Sequence, residues 1–169
     1  MKMLETIKPN RPKVGSKWTI HCDGATLESN PSAIGGWGFA VWCDGRLFFA
    51  AHGQIVGHIT NQTAEMIAVM KATMWCHQKG LQVCTIVSDS KVSVDVMNQD
   101  STLKNPRLLR VEAAIRHSLY FIEPVFEHVT RDNPYQRFSD YLANLGNHGD
   151  RAYSSLEQHQ ALLDSYNRW

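Results

Sequence analysis

Hydrophobic and polar positions first alternate along this chain and then switch to helical spacing. Trp18, Ile20 and Cys22 alternate with Thr19, His21 and Asp23, a period of two that predicts a strand over 17–23 ending at Asp23-Gly24. Residues 25–34 read as a loop, with Asn30-Pro31 as turn chemistry. A second strand over 35–43 is rich in aromatics and opens on closely spaced glycines. Asp44-Gly45 is a hairpin signal, so residues 46–56 should return as a third strand antiparallel to the second.

The period then changes. Residues 61–78 read as a helix capped by Asn61 and stopped by Gly80, with apolar residues around most of its circumference, so it should be heavily buried. The β-branched run over 82–88 suits a central strand; Asp89 follows it, and residues 90–98 return to helical spacing. Asn105-Pro106 opens a further helix with Leu108, Val111, Ile115 and Leu119 on one face. Residues 121–129 predict a fifth strand, and Asn133-Pro134 starts a last helix running to about Asn144. Residues 147–169 are polar and weakly helical, without a firm assignment. The expected class is α/β: a mixed sheet opened by an antiparallel meander, with helices on its faces. The expected organisation is a basic tail over 1–16, a domain over 17–146 and a C-terminal extension over 147–169.

Composition narrows the picture. The 169 residues fit one domain, and 43% hydrophobic with 20% charged residues is a globular balance. No apolar run is long enough to span a membrane, and the N-terminus lacks the apolar core of a secretory signal. Four cysteines without a C-x-x-C pair read as reduced, buried thiols, so a cytoplasmic location is expected and neither structural zinc nor a disulfide framework is. No membrane or protein partner is implied. The net charge of +1 argues against a strongly basic nucleic-acid binder. That charge is unevenly spread, however: residues 1–17 carry five basic side chains against one acid, and the rest carry twelve against fifteen. Basic arms of this kind often touch nucleic acid.

Four acids stand where chemistry gathers. Asp23 and Asp89 end two predicted strands, Glu65 lies early on the buried helix, and Asp140 sits within the last helix. Singly they read as a turn, a helix residue and an N-cap. Brought together, they could ionise only with a cation to neutralise them, and oxygen ligands without organised His or Cys select Mg²⁺ or Mn²⁺. Two such ions about 3.5–4 Å apart suit in-line phosphodiester hydrolysis.

The motifs around these acids resemble type 1 ribonuclease H. Cys22-Asp23-Gly24-Ala25, Asn30-Pro31 and Gly35-Gly36-Trp37-Gly38 are similar to its first hairpin. Thr60-Asn61-Gln62-Thr63-Ala64-Glu65 and Val87-Ser88-Asp89-Ser90 resemble its T-N-N-x-x-E and T-D-S segments. Arg131-Asp132-Asn133 with Ser139-Asp140-x-Leu142-Ala143 resembles the closing element of the plant- and archaeal-like branch. The resemblance implies a ribonuclease H-like three-layer fold whose five strands lie in the order 3-2-1-4-5. It also implies a site in which Asp23, Glu65, Asp89 and Asp140 are both catalytic residues and ligands to two Mg²⁺ or Mn²⁺ ions. The activity implied is cleavage of the RNA strand of an RNA–DNA hybrid, leaving 3′-hydroxyl and 5′-phosphate ends.

By the same resemblance Gly24, Asn61, Gln62, Ser90 and Arg131 are expected to contact substrate, with Asn30 and Trp37 as weaker candidates. Arg131 stands where the better-known branch carries a loop histidine; His128, in the preceding strand, reads as structural. Residues 99–106 lack the basic protrusion that grips hybrid in some members. The other aromatics of the second and third strands read as packing. Two alternatives remain open: a DNA-directed nuclease or resolvase of the same fold, and a binding module without catalysis. The presence of all four acids weighs against the latter.

Overall fold

A computed structural model describes residues 4–6, 15–149 and 156–169. Its strands are β1 (Glu5–Thr6), β2 (Trp18–Thr26), β3 (Ser32–Cys43), β4 (Arg46–Ile59), β5 (Thr85–Ser88) and β6 (Val125–His128). Its helices are α1 (Asn61–Lys79), α2 (Lys91–Met97), α3 (Pro106–Leu119), α4 (Pro134–Asn147) and α5 (Leu156–Arg168). They form one sheet in the order β1-β4-β3-β2-β5-β6. The five strands anticipated from sequence lie in the expected 3-2-1-4-5 order. β2, β3 and β4 form the antiparallel meander, while β5 and β6 join in parallel beyond β2. Among the described residues no helix is long and apolar enough to cross a membrane.

The sheet is covered on both faces, which follows from the alternation within its strands. Ile20, Cys22, Phe39 and Val41 point to a core shared with Met66, Val69, Val94 and Ile115 of α1, α2 and α3. Ala40, Trp42, Leu47 and Ala50 point the other way, to Phe138 and Leu142 of α4 and to Leu163 and Tyr166 of α5. The aromatics of the meander are packing residues: Phe39 and Trp42 are buried, and Phe49 stacks on Trp75 with ring centroids 5.2 Å apart.

Several boundaries differ from the sequence reading. The first hairpin is longer than predicted, because pairing continues through Ala25↔Gly36 and Thr26↔Gly35, past the point where apolar alternation stops. β4 likewise runs to Ile59, paired with Ser32. β5 and β6 are shorter than the apolar runs that announced them. The N-cap of α1 is Thr60 rather than Asn61: Thr60 is extended, and its hydroxyl accepts from the Thr63 amide at 3.1 Å.

The ends of the chain correct the expected tail and extension. Glu5 and Thr6 pair in parallel with Arg46 and Leu47, adding a sixth strand at the sheet edge, and Leu4 is buried. Residues 147–149 continue from α4, and α5 buries Leu162, Leu163 and Tyr166 in the same core as Leu4. The apolar face of β3 and β4 beyond α4 needs this cover, which local periodicity could not reveal. The basic residues Lys2, Lys8, Arg11 and Lys13 lie outside the described residues.

Candidate active site

Three acids converge because three elements meet at one end of the sheet. The parallel register pairs Ile20 with Ile86 and His21 with Val87, so two residues further on Asp23 comes level with Asp89. Glu65 arrives on the second turn of α1, where α1 crosses the end of β2. Gly24 makes that crossing possible, since a Cβ there would lie 2.2 Å from the Ala64 carbonyl carbon and 2.4 Å from the Glu65 nitrogen. One carboxylate oxygen each from Asp23, Glu65 and Asp89 lie within 4.8 Å of one another. The fourth acid, Asp140 of α4, lines the same cleft of about 130 Å³, together with Gly24, Arg131 and Gln136. α4 sits close enough to bring it there because Gly36 lacks a side chain; a Cβ at that position would be 2.0 Å from the Ala143 carbonyl oxygen.

Asp23 and Glu65 resist ionisation. Burial, followed by the charges of Glu65, Asp89 and Asp140, pushes the Asp23 carboxyl well above the usual carboxylate range. Burial and the neighbouring Asp89 push Glu65 up to about 8. Glu65 Oε2 is fully covered and has no hydrogen-bond partner. A covered carboxylate oxygen without a donor, beside two more acids, fits a hard divalent cation with oxygen ligands. Asp23, Glu65 and Asp89 are the residues that could hold it, with Asp140 at the same cleft.

The RNase H family pattern matches residues 15–120, nearly two-thirds of the chain. The chain belongs to the RNase H family. That match contains Asp23, Glu65 and Asp89 and ends before α4. Solved structures extend the likeness. The N-terminal RNase H domain of Rv2228c from Mycobacterium tuberculosis is 25% identical, with a TM-score of 0.70, covering 78% of this chain and 98% of that one. RNase H1 from the halophilic archaeon Halobacterium salinarum is 23% identical, with a TM-score of 0.68, covering 77% of this chain and 96% of that one. LC11-RNase H1, solved in complex with RNA/DNA hybrid, is 24% identical, with a TM-score of 0.70, covering 78% of this chain and 97% of that one. No curated protein sequence matches the chain.

In this ribonuclease H the remaining predicted residues divide into two groups. Gly24 and Arg131 line the cleft with the four acids. Arg131 is 94% exposed and holds its Nε 3.5 Å from Asp89 Oδ2. Asn30, Asn61, Gln62, Ser90 and Trp37 lie outside that lining. Asn61 is exposed; its Oδ1 accepts from the Thr26 hydroxyl at 2.8 Å, and its backbone N–H donates to Asn30 Oδ1 at 3.1 Å. The Gln62 amide donates to Ser93 Oγ at 3.1 Å, and Ser90 Oγ caps α2 by accepting from the Ser93 amide at 3.2 Å. Trp37 is half-buried, stacked on Phe39 at 5.9 Å, with the Lys71 ammonium 5.1 Å from its ring. It packs over α1 rather than into the cleft. His128 of β6 is exposed, and its Nε2 donates to the Asp89 carbonyl oxygen at 3.2 Å.

Sequence reading missed the polar seam that fastens α4 to β2. Gln136 is buried, its amide nitrogen donating to the Cys22 carbonyl at 2.8 Å and its oxygen accepting from His21 Nδ1 at 3.1 Å. Burial lowers His21 to about 4, so the ring is neutral. Ser139 Oγ donates to the His21 carbonyl at 2.9 Å. The one local signal was Gln136 and Ser139 falling on the apolar face of a helix, where polar groups must find partners.

Proposed function

We propose that this ribonuclease H hydrolyses the RNA strand of RNA–DNA hybrids by two-metal-ion catalysis, leaving 3′-hydroxyl and 5′-phosphate ends. The observation that carries the reading is the convergence of Asp23, Glu65 and Asp89, within 4.8 Å, at the end of an RNase H sheet. The hybrid bound to the similarly folded LC11-RNase H1 supports the choice of substrate. Asp23, Glu65, Asp89 and Asp140 would hold Mg²⁺ or Mn²⁺. When bound, the ions neutralise the phosphodiester and lower the pKa of the attacking water.

The chain's own side chains do the rest. Arg131, at the rim of the cleft, contacts phosphate. Asn61 and Gln62, with Ser90, contact the sugar edge, where a 2′-hydroxyl distinguishes RNA from DNA. The likeness of the closing Arg131…Asp140 segment supports membership of the plant- and archaeal-like branch. The basic residues of 1–16 add non-specific affinity that weakens with salt. Because Glu5 and Thr6 join the sheet, that contribution is measured with Lys8, Arg11 and Lys13 replaced by alanine rather than by truncation.

The deciding experiment incubates the purified chain with hybrid, double-stranded RNA, single-stranded RNA and DNA duplex, with Mg²⁺, Mn²⁺ or EDTA. Hybrid should be cut in the RNA strand in the presence of metal only, and Asp89→Asn should abolish cleavage. Intact hybrid under both metals would refute the proposal, and preferential cleavage of DNA would favour a DNA-directed nuclease.

A further inference from the structure

The donors around Asp23, Asp89 and Asp140 differ in kind. Asp23 Oδ1 accepts the Gly24 backbone N–H at 3.0 Å, while Asp89 Oδ2 faces the charge of an exposed arginine. Asp140 Oδ1 is held by a neutral side chain on its own helix: Asn144 Nδ2 donates to it at 3.1 Å and to the Asp140 carbonyl oxygen at 2.8 Å. Asn144 sits four residues on, one turn above Asp140 on the same face of α4.

The backbone of α4 is already fixed beneath this pair. Gln136 and Ser139 hydrogen-bond to β2, and Gly36 admits the helix at close range. What the helix leaves free is the rotation of the Asp140 side chain, and a doubly anchored amide limits it. With Oδ1 engaged by Asn144, Oδ2 is the oxygen left for the cleft. An amide suits this role because it donates without bringing a positive charge that would compete with a cation. An asparagine inside a helix is otherwise a poor choice, since it forms helix less readily than alanine.

We infer that Asn144 is a positioning residue for Asp140, setting the carboxylate's orientation for divalent-cation binding. This rests on the proposed function only in taking Asp140 as a ligand, and it can be tested without substrate. Mn²⁺ affinity is measured by calorimetry on the full chain, together with thermal melting, for wild type, Asn144→Ala and Asn144→Gln. Asn144→Ala should weaken Mn²⁺ binding about tenfold, the lower end of what loss of an outer-shell partner costs. Its melting temperature should stay the same or rise. Asn144→Gln, which can still donate from the same turn, should recover most of the affinity. On hybrid, Asn144→Ala should lower kcat and leave KM unchanged.

An affinity within twofold of wild type in Asn144→Ala would overturn the inference. So would a loss that tracks a fall in melting temperature and is not rescued by Asn144→Gln, because that pattern is merely structural. Absence of Mn²⁺ binding by wild type would overturn it as well. Wild type that binds Mn²⁺ in an Asn144-dependent way but leaves hybrid intact would refute the proposed function and keep this inference.

Discussion

Gly24 and Ala64 are in backbone-to-backbone contact: a Cβ on Gly24 would stand 2.2 Å from the Ala64 carbonyl carbon and 2.3 Å from its oxygen. Neither atom can rotate away, as the end of a side chain could. Gly24→Ala therefore has to push α1 off β2, carrying Glu65 with it. The expected cost is about 3 kcal/mol or more, above the usual range for overpacking because the clash is with backbone. Urea denaturation should show the lost stability, and hybrid cleavage should be lost even at temperatures where the variant remains folded.

Replacing an acid at this site should separate stability from activity. Asp23 is buried among three like charges, and Asp23→Asn removes that repulsion while keeping an oxygen for the Gly24 amide. In EDTA the variant should melt higher than wild type, by roughly 2–4 °C for each kcal/mol relieved. Its hybrid cleavage should be abolished. A lower melting temperature in EDTA would show that the carboxylate is better accommodated than its surroundings indicate.

Metal binding and pH should be linked with a definite sign. Asp23 and Glu65 have folded pKa values raised above those of the unfolded chain, so the folded protein retains protons that the unfolded chain has released. Their contribution to stability is full below about pH 4, the unfolded carboxylate range. It is lost as pH rises, for Glu65 up to about 8. His21 acts oppositely: lowered to about 4, it costs stability as pH falls below about 6.5, its unfolded value. Between pH 6.5 and 8 the carboxylates alone remain, and the melting temperature in EDTA should decline. Mg²⁺ requires ionised ligands, so the rise in melting temperature that it produces should be larger at pH 8 than at pH 6. A metal-induced shift that is flat across this range would contradict the assignment of Asp23 and Glu65 as ligands.

The C-terminal helix should contribute to the stability of the domain. Leu163 is fully buried in the core that α5 shares with Trp42 and Phe138. Leu163→Ala should cost about 2–5 kcal/mol, as for other buried leucines. Chemical denaturation measures it; an unchanged midpoint would mean that residues beyond α4 are dispensable. Leu163 is not among the residues that line the candidate cleft, so the pattern of cleavage products should be unaffected.

Much of the fold could be read locally. The period-two run over 17–23 and the Asp44-Gly45 turn predicted the first hairpins, and Asp44 and Gly45 both adopt the positive φ, 51° and 80°, that such a turn requires. Gly80 closes α1 in the left-handed conformation, and Asn133 caps α4, as their types and positions indicated. Asp23 and Asp89 were legible because each follows an apolar run, where a polar residue stands out against its neighbours.

Other features have no local signature, since they depend on which segments meet. β1 is two residues long, and only its pairing with Arg46 and Leu47 makes it a strand. The strands of the first hairpin outlast their apolar alternation because backbone pairing asks nothing of the side chains. Gln136 and His21, 115 positions apart, become a buried pair only once α4 lies on β2. Residue type and periodicity therefore marked the strands, the helices and the acids, because burial and backbone preference act over a few neighbours. The convergence of Asp23, Glu65, Asp89 and Asp140 arose from the parallel register of β2 with β5 and from two glycines that admit α1 and α4. These are contacts between distant segments, and they form only in the folded chain.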